Sequence, residues 1–264
     1  MTDATNATDD QDALLRLLIE ADTDTDIPAV LFDFDGPVCD LFRGAPTDDV
    51  AEQVKETARL YWGWRDPQDQ GLLDPEVESC NDSHGILRRL RDMYERPAPK
   101  KRLSAEPLKR AEEIVTEQET RALRTAVPAP HIVTLVDLLH ELDMPMAVVS
   151  NNAEGPIRTY LEHLDFDKKF NGVFGRDPHD ARHMKPDPHC VRLAIEHLGV
   201  PASSCILIGD QITDLEAARE VGAWFIGYAQ EEERAREMKQ AEADAVVSTH
   251  LSIIAAVEKF RASR

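Results

Sequence analysis

The sequence has no long apolar run and no closely paired cysteines. None of its hydrophobic stretches approaches the roughly 18 to 20 residues of a membrane-spanning helix, and its first residues are acidic and polar, unlike those of a secretory signal peptide. The cysteines lie far apart, without a C-x-x-C pair or histidines at zinc-finger spacing. Such thiols are typical of a reducing compartment. We therefore expect a cytoplasmic protein that does not enter membranes.

Positive charge is also scarce. The chain has 30 Lys and Arg residues against 50 Asp and Glu residues, which gives a formal net charge of -20. Nucleic-acid binding normally requires clustered Lys and Arg, so this balance argues against nucleic acid as a partner. A site for an anionic ligand would have to reverse the acidic field locally, with a metal ion, lysine or backbone N–H groups.

The length and apolar content fit a globular protein. With 264 residues, 42% of them hydrophobic, the chain is long enough for one α/β core and a smaller insert. Residues 1–28 are predicted to form an acidic N-terminal extension with a short helix from Asp12 to Ala21. Within it, residues 1–10 have few apolar side chains and are predicted to be disordered.

One apolar stretch ends in two carboxylates. Residues 29–32 (AVLF) are typical of a central strand that is buried on both faces, and Asp33 and Asp35 follow before Gly36 and Pro37 end the strand. Grouping two carboxylates there is costly unless a cation compensates them. Because Mg²⁺ prefers carboxylate and carbonyl oxygens, the stretch indicates a magnesium site. A surface turn built on Asp-x-Asp-Gly is the alternative from this stretch alone.

The middle of the chain is predicted to be helical. Thr47 and the acids after it suit the start of a helix that ends near Tyr61, and two further helical stretches cover residues 75–94 and 106–125. We predict that residues 44–128 form a cap domain inserted into a core domain made of residues 29–43 and 129–264.

From His131 onward, helices alternate with short apolar strands. The predicted strands cover residues 145–149, 172–175, 204–208, 223–227 and 244–247. This alternation predicts an α/β fold with a doubly wound, Rossmann-like parallel sheet, in which ligands bind beyond the carboxyl ends of the strands.

Polar residues follow several of these strands. Ser150 and Asn151 come after one strand, Lys185 precedes a helix, and Asp210 follows another strand with Asp214 one helical turn further. Each has an ordinary alternative use as a helix cap or loop residue. Together with Asp33 and Asp35 they provide a nucleophile, an acid–base group, phosphate-binding groups and metal ligands, which favours phosphoryl transfer.

These motifs resemble those of the haloacid dehalogenase-like hydrolase superfamily. The resemblance covers roughly residues 29–260 and rests on Asp33-Phe34-Asp35-Gly36, Ser150-Asn151, Lys185-Pro186 and Gly209 to Asp214. It implies that Asp33 forms an aspartyl-phosphate, that Asp35 is the general acid and base, and that Ser150, Asn151 and Lys185 bind the phosphoryl group. It also implies Mg²⁺ bound by Asp33, Asp35, Asp210 and Asp214. The helical insert is similar to the cap of the phosphoglycolate phosphatase-like and β-phosphoglucomutase-like members.

The expected activity is therefore a Mg²⁺-dependent phosphatase of a small phosphorylated metabolite, in a monomer or homodimer. A phosphomutase and a regulatory protein of low activity are the alternatives. The second is motivated by Pro37, which stands where the superfamily usually has Thr, so that a hydroxyl and an N–H are missing beside the nucleophile. Dehalogenases resemble this chain but lack an acid at the position of Asp35, which argues against dehalogenation.

Overall fold

The computed structural model describes residues 3–21, 27–43, 48–62, 73–96 and 103–263. Within these segments, six parallel strands form one sheet in the order β5-β4-β1-β6-β7-β8. The sheet strands are β1 (Ala29–Phe32), β4 (Met146–Val149), β5 (Gly172–Phe174), β6 (Cys205–Gly209), β7 (Trp224–Tyr228) and β8 (Ala245–Val247). Two short strands, β2 (Cys39–Asp40) and β3 (Val127–Pro128), pair antiparallel beside it. The prediction of a doubly wound parallel sheet is confirmed.

The helices of the described segments are, in chain order, α1 (Asp3–Ala21), α2 (Asp48–Trp62), α3 (Pro75–Glu78), α4 (Ser83–Glu95), α5 (Glu106–Ala122), α6 (Ile132–Glu141), α7 (Glu154–His163), α8 (His189–Leu198), α9 (Ile212–Val221), α10 (Glu232–Gln240) and α11 (His250–Ser263). Across these segments, no helix combines the length and apolar character that membrane crossing requires.

The central strand explains the position of the site. All four residues of β1 are buried. Val30 and Phe32 contribute to the apolar cluster on one face of the sheet, and Ala29 and Leu31 to the cluster on the other. Because β1 pairs with both β4 and β6, the carboxyl ends of these three strands meet at one edge. The loops after them carry the residues predicted from the motifs.

The N-terminal helix is longer than predicted. It begins at Asp3, so the prediction of disorder is wrong for residues 3–10. Leu14, Leu17 and Leu18 are buried in the cluster that covers one face of the sheet. Once this apolar turn is fixed by packing, each further residue extends the helix at little cost, since helix propagation is easier than nucleation.

The helices between β2 and β3 have an apolar cluster of their own. Val54 of α2, Leu87 of α4 and Val115 of α5 belong to it, and Met184 of the sheet-bearing part joins it. The helical stretch predicted over residues 75–94 is divided in the structure into α3 and α4. Thr47, predicted to start the first of these helices, lies outside the described residues.

One helix was not predicted. The sequence patterns place strand 223–227 directly before strand 244–247, whereas the structure has α10 between β7 and β8. Met238 is the buried residue of α10, and the rest of the helix is strongly polar. Without an apolar stripe the segment lacks the 3.6-residue periodicity that identifies a packed helix.

Candidate active site

The loop after β1 places both predicted acids, Asp33 and Asp35, in one cleft. The strand ends at Phe32, and the Asp33 N–H donates to the carbonyl of Ile208 at 2.9 Å. Asp33 is 7% exposed. The loop then folds back so that Asp35 Oδ1 accepts a hydrogen bond from the Leu41 N–H at 2.8 Å. This backbone contact fixes the Asp35 carboxyl near Asp33, beyond the end of the regular strand.

Gly36 and Pro37 shape this turn. Gly36 has a φ of +107°, and a Cβ added to it would lie 2.7 Å from Cγ of Asp210. Glycine is therefore required both by the backbone conformation and by the close approach of Asp210. Pro37 is buried in the same turn. The turn is closed by the N–H groups of Val38 and Cys39, which donate to the Phe34 carbonyl. Proline has no amide hydrogen, and neither of these two hydrogen bonds requires one at position 37.

Lys185 lies at the centre of the cleft and is almost fully buried. Its Nζ is 2.8 Å from Asp33 Oδ1, 2.6 Å from Asp214 Oδ1 and 3.0 Å from the carbonyl of Val149. Burial favours the neutral amine, but the charges of Asp214 and Asp33 outweigh it and raise the pKa of Lys185. An ammonium has three donors, and each now has a partner.

Asp214 holds Lys185 from the opposite side. Its second oxygen, Oδ2, accepts a hydrogen bond from the Gln211 N–H at 3.0 Å in the capping box at the start of α9. Both oxygens are therefore engaged within the protein. This arrangement fits the positioning of Lys185 more closely than direct binding of a metal.

Ser150 and Asn151 follow β4 but play different structural parts. Ser150 Oγ lines the cleft and donates to Asn152 Oδ1 at 3.1 Å. The Asn151 side chain instead makes two hydrogen bonds to the backbone of Lys185. It accepts one from the Lys185 N–H at 2.7 Å and donates one to the Lys185 carbonyl at 3.2 Å. Asn151 therefore positions the loop that carries Lys185.

The remaining carboxylates leave the cleft rich in negative charge. Oxygens of Asp33, Asp210 and Asp214 lie within 4.8 Å of one another. Burial, with a smaller effect from the charge of Asp33, raises the pKa of Asp35 to about 6. Burial and then the charge of Asp33 also raise the pKa of Asp210. One lysine does not balance the negative charge of these carboxylates. Their oxygens are hard donors, which a divalent cation such as Mg²⁺ prefers.

The cleft has a second wall, provided by the start of α4. A cavity of about 320 Å³ is bounded by the residues described above and by Asp82, Ser83 and His84. No sequence motif identified these three residues. Of the arginines of α4, Arg88 donates to the carbonyls of Met184 and Lys185, and Arg91 donates to the carbonyl of His179. These two side chains hold the loop that contains Lys185.

A buried ionic network lies behind this wall and was likewise not predicted. Arg176, in the loop after β5, donates to Glu119 Oε1 at 2.7 Å and to the carbonyl of Asn151 at 2.7 Å. The side chains of Arg176 and Glu119 are both 0% exposed. Their partners are distant in sequence and belong to no short motif, which is why sequence analysis did not find them.

The fold and this carboxylate–lysine cleft define an α/β protein with its site at the carboxyl edge of a parallel sheet. The chain belongs to the haloacid dehalogenase-like hydrolase family, whose sequence model matches residues 27–222. The predicted family is thereby confirmed.

Two similar curated proteins are phosphoglycolate phosphatases. That of Escherichia coli K12 is 30% identical over 98 residues, which cover 37% of this chain and 38% of the relative. That of Salmonella typhimurium LT2 is 28% identical over 129 residues, which cover 44% and 50%. The chain thus spans half or less of these relatives.

Similar solved structures support the same fold. CbbY from Rhodobacter sphaeroides in complex with phosphate has a TM-score of 0.57 and 18% identity, covering 88% of this chain and 100% of that one. β-Phosphoglucomutase from Clostridium difficile has a TM-score of 0.56 and 17% identity, covering 90% and 100%. At these identities the likeness concerns the fold.

Proposed function

We propose that the protein is a Mg²⁺-dependent phosphatase that hydrolyses a small phosphorylated metabolite through an aspartyl-phosphate on Asp33. The observation that carries this proposal is the contact of Lys185 Nζ with Asp33 Oδ1 at 2.8 Å, in a cleft shared with Asp35 and Asp210. Lys185 occupies one oxygen of Asp33 and leaves the other for attack on phosphorus. The names of the phosphoglycolate phosphatase relatives make 2-phosphoglycolate the first substrate to test.

The donor set fits the proposed metal. Asp33 and Asp210 would hold Mg²⁺ through carboxylate oxygens and Asp35 through its backbone carbonyl, with Asp214 contributing through water, because Lys185 and the Gln211 N–H already engage its oxygens. When bound, Mg²⁺ supplies positive charge that neutralises the phosphoryl oxygens.

The chain's own residues account for the remaining steps. An oxygen of Asp33 attacks phosphorus while the bond to the leaving oxygen breaks, and Asp35 gives that oxygen its proton. Asp35, now a carboxylate, takes a proton from a water molecule, whose oxygen attacks the phosphorus of the aspartyl-phosphate. Phosphate leaves and Asp33 is regenerated. Lys185 and Ser150 bind the phosphoryl oxygens throughout.

We further propose that residues 44–128 act as a cap over a core of residues 29–43 and 129–264. In support, α2, α4 and α5 have their own apolar cluster, and the start of α4 forms one wall of the cleft. Such a cap would exclude water from the leaving group and contact it directly.

The proposal is tested with Asp33→Asn. An amide is a poor nucleophile, so we expect Mg²⁺-dependent phosphate release from p-nitrophenyl phosphate to fall by about 10³-fold or more. Asp40→Asn changes an exposed acid of β2 nearby and serves as the matched control. Equal turnover by wild type and Asp33→Asn would refute the mechanism. Isomerised sugar phosphate with little free phosphate would indicate a mutase instead.

A further inference from the structure

Three side chains of the kind that bind metal ions meet on the segment that carries Lys185. Asp177 lies in the loop after β5, His183 ends a short 3₁₀ helix, and His189 is the first residue of α8. One possible ligand atom of each lies within 4.8 Å of those of the other two. None of the three is among the described residues that line the active-site cleft. They form a separate group, called here the loop cluster.

The spacing of the loop cluster is close to that of a metal site. Asp177 Oδ2 is 2.8 Å from His183 Nδ1, and the rings of His183 and His189 stack with their centroids 4.3 Å apart. In a tetrahedral Zn²⁺ site with bonds of about 2.0–2.1 Å, neighbouring ligand atoms lie about 3.3 Å apart. The observed distances lie on both sides of this value, so small side-chain rotations would bring the three ligands around one ion.

The backbone around the loop cluster is fixed by hydrogen bonds. Asp177 Oδ1 accepts from the His179 N–H at 2.8 Å, and Asp187 Oδ1 accepts from the His189 N–H at 3.0 Å. From α4, Arg91 donates to the carbonyl of His179. Ligands that are held in place before binding lose less conformational entropy when the ion arrives. The segment is therefore organised for binding without the ion.

The ligand types indicate the class of ion. Two imidazole nitrogens and one carboxylate oxygen suit Zn²⁺ and similar transition metals, whereas Mg²⁺ prefers oxygen ligands. Burial opposes the charge of Asp177, but hydrogen bonds from the His179 N–H and from His183 outweigh it and lower the pKa of Asp177. Its carboxylate is therefore ionised, as a metal ligand must be. A cation between Asp177 and His183 would replace the hydrogen of their contact, and the His183 ring would then carry its hydrogen on Nε2.

We propose that Asp177, His183 and His189 form a site for a divalent transition metal ion such as Zn²⁺, with water in the fourth position. The side chains of Asp177 and His183 are 22% and 37% exposed, so an ion can reach them from solvent. Lys185 lies between the two histidines in sequence. A bound ion joins the two ends of the segment that presents Lys185 to Asp33 and stabilises it. This site is distinct from the proposed Mg²⁺ site and does not depend on the proposed phosphatase function.

The inference is tested by titrating the metal-free protein with Zn²⁺ in competition with a chromophoric chelator, in the presence of saturating Mg²⁺. We expect wild type to bind about one Zn²⁺ per chain at this site, and His183→Gln and His189→Gln each to raise the Kd at least about tenfold. His179→Gln changes an exposed histidine of the same segment that lies outside the loop cluster, and it is the matched control. Asp210→Asn alters the acidic cleft instead and should keep the wild-type Kd.

Two further readouts accompany the titration. Zn²⁺ should raise the Tm of wild type and His179→Gln but not of His183→Gln or His189→Gln, because an ion that binds the native state stabilises it. In wild type, the ring NMR signals of His183 and His189 should shift when Zn²⁺ is added, which requires no variant. The inference would be overturned by a wild type that takes up no Zn²⁺, by a Kd that neither histidine substitution changes, or by a Kd that rises only in Asp210→Asn, which would place the ion in the acidic cleft. Failure of the phosphatase proposal is distinguishable, because none of these measurements uses a substrate.

Discussion

At the scale of single residues, the site depends on one glycine as much as on its carboxylates. Gly36 brings the backbone of the nucleophile loop against Asp210, on the loop that follows β6. A side chain at this position would meet both a disfavoured backbone conformation and a proposed metal ligand. The two effects can be separated, because other glycines of the chain share the conformation and lack the contact.

We predict that Gly36→Ala loses at least as much stability as Gly222→Ala and that only Gly36→Ala loses activity. Both positions have positive φ (+107° and +82°), which costs a non-glycine residue about 1–2 kcal/mol. A Cβ at Gly222 meets nothing within 4 Å, whereas at Gly36 it displaces Asp210. Urea unfolding should show a loss in both variants, at least as large in Gly36→Ala, and phosphate release should fall at least tenfold in Gly36→Ala alone. Equal activity of the two variants would show that Asp210 tolerates the displacement.

The residues predicted from sequence are those with a local signal. Asp33, Asp35 and Asp210 each follow an apolar strand, and Lys185 precedes a proline at the start of a helical pattern, so their positions could be inferred from the order of the motifs. His84, Glu119 and Arg176 have no such neighbours in sequence. Their association arises from how α4 and α5 pack beside the loops after β4 and β5, which a single sequence does not encode as a pattern.

At the scale of elements, α5 is joined to the sheet through charge. Glu119 and Glu112 of this helix both contact Arg176, in the loop after β5. Removing one partner of a buried pair is costly because the other charge stays buried without compensation. Since Glu112 remains in contact with Arg176, the loss of Glu119 should be partly offset.

We predict that Glu119→Gln destabilises the protein by about 3 kcal/mol at pH 7. Because the pKa of Glu119 is lowered to about 2 in the folded protein, its contribution is complete above the unfolded-state pKa near 4.5 and is lost as the pH falls through 2. The gap in unfolding free energy between wild type and variant should therefore narrow by about 1.4 kcal/mol at pH 3.5. Urea unfolding at both pH values measures it.

Glu117→Gln is the control for this experiment, since Glu117 lies on the exposed side of the same helix. A surface change of this kind should stay within about 0.5 kcal/mol at either pH. A gap between wild type and Glu119→Gln that does not change between pH 7 and pH 3.5 would contradict the assignment of Glu119 as an ionised buried carboxylate.

The elements that sequence predicts well and badly differ in how they pack. Strands such as β1 and β6 are buried on both faces, so their apolar runs identify them. Helix α10 has Met238 as its buried residue, so its sequence lacks the apolar periodicity that predicts a helix. The start of α1 was missed for a related reason, because the sequence of residues 3–10 has few apolar residues and so lacks the periodicity that predicts a helix.

At the scale of the whole molecule, the parallel sheet concentrates carboxylates in a chain that is already acidic. Residues from four separate parts of the sequence reach one edge of the sheet because β1 pairs with both β4 and β6. The formal net charge of -20 surrounds this edge with a field that repels anions. The proposed Mg²⁺ and Lys185 act at short range, so a phosphorylated substrate must cross the repulsive field before it reaches them.

We therefore predict that kcat/KM for a dianionic phosphate ester rises with ionic strength, at constant saturating Mg²⁺, while kcat stays nearly constant. Raising the total ionic strength with NaCl towards 0.15 M shortens the Debye length to about 8 Å, which screens repulsion during approach but affects contacts inside the cleft less. The measurement is steady-state phosphate release across this range, repeated with choline chloride to exclude an effect of sodium itself. A kcat/KM that falls with both salts would mean that attraction at the cleft mouth outweighs the repulsion of the whole chain, and that the acidic surface lies away from the path of the substrate.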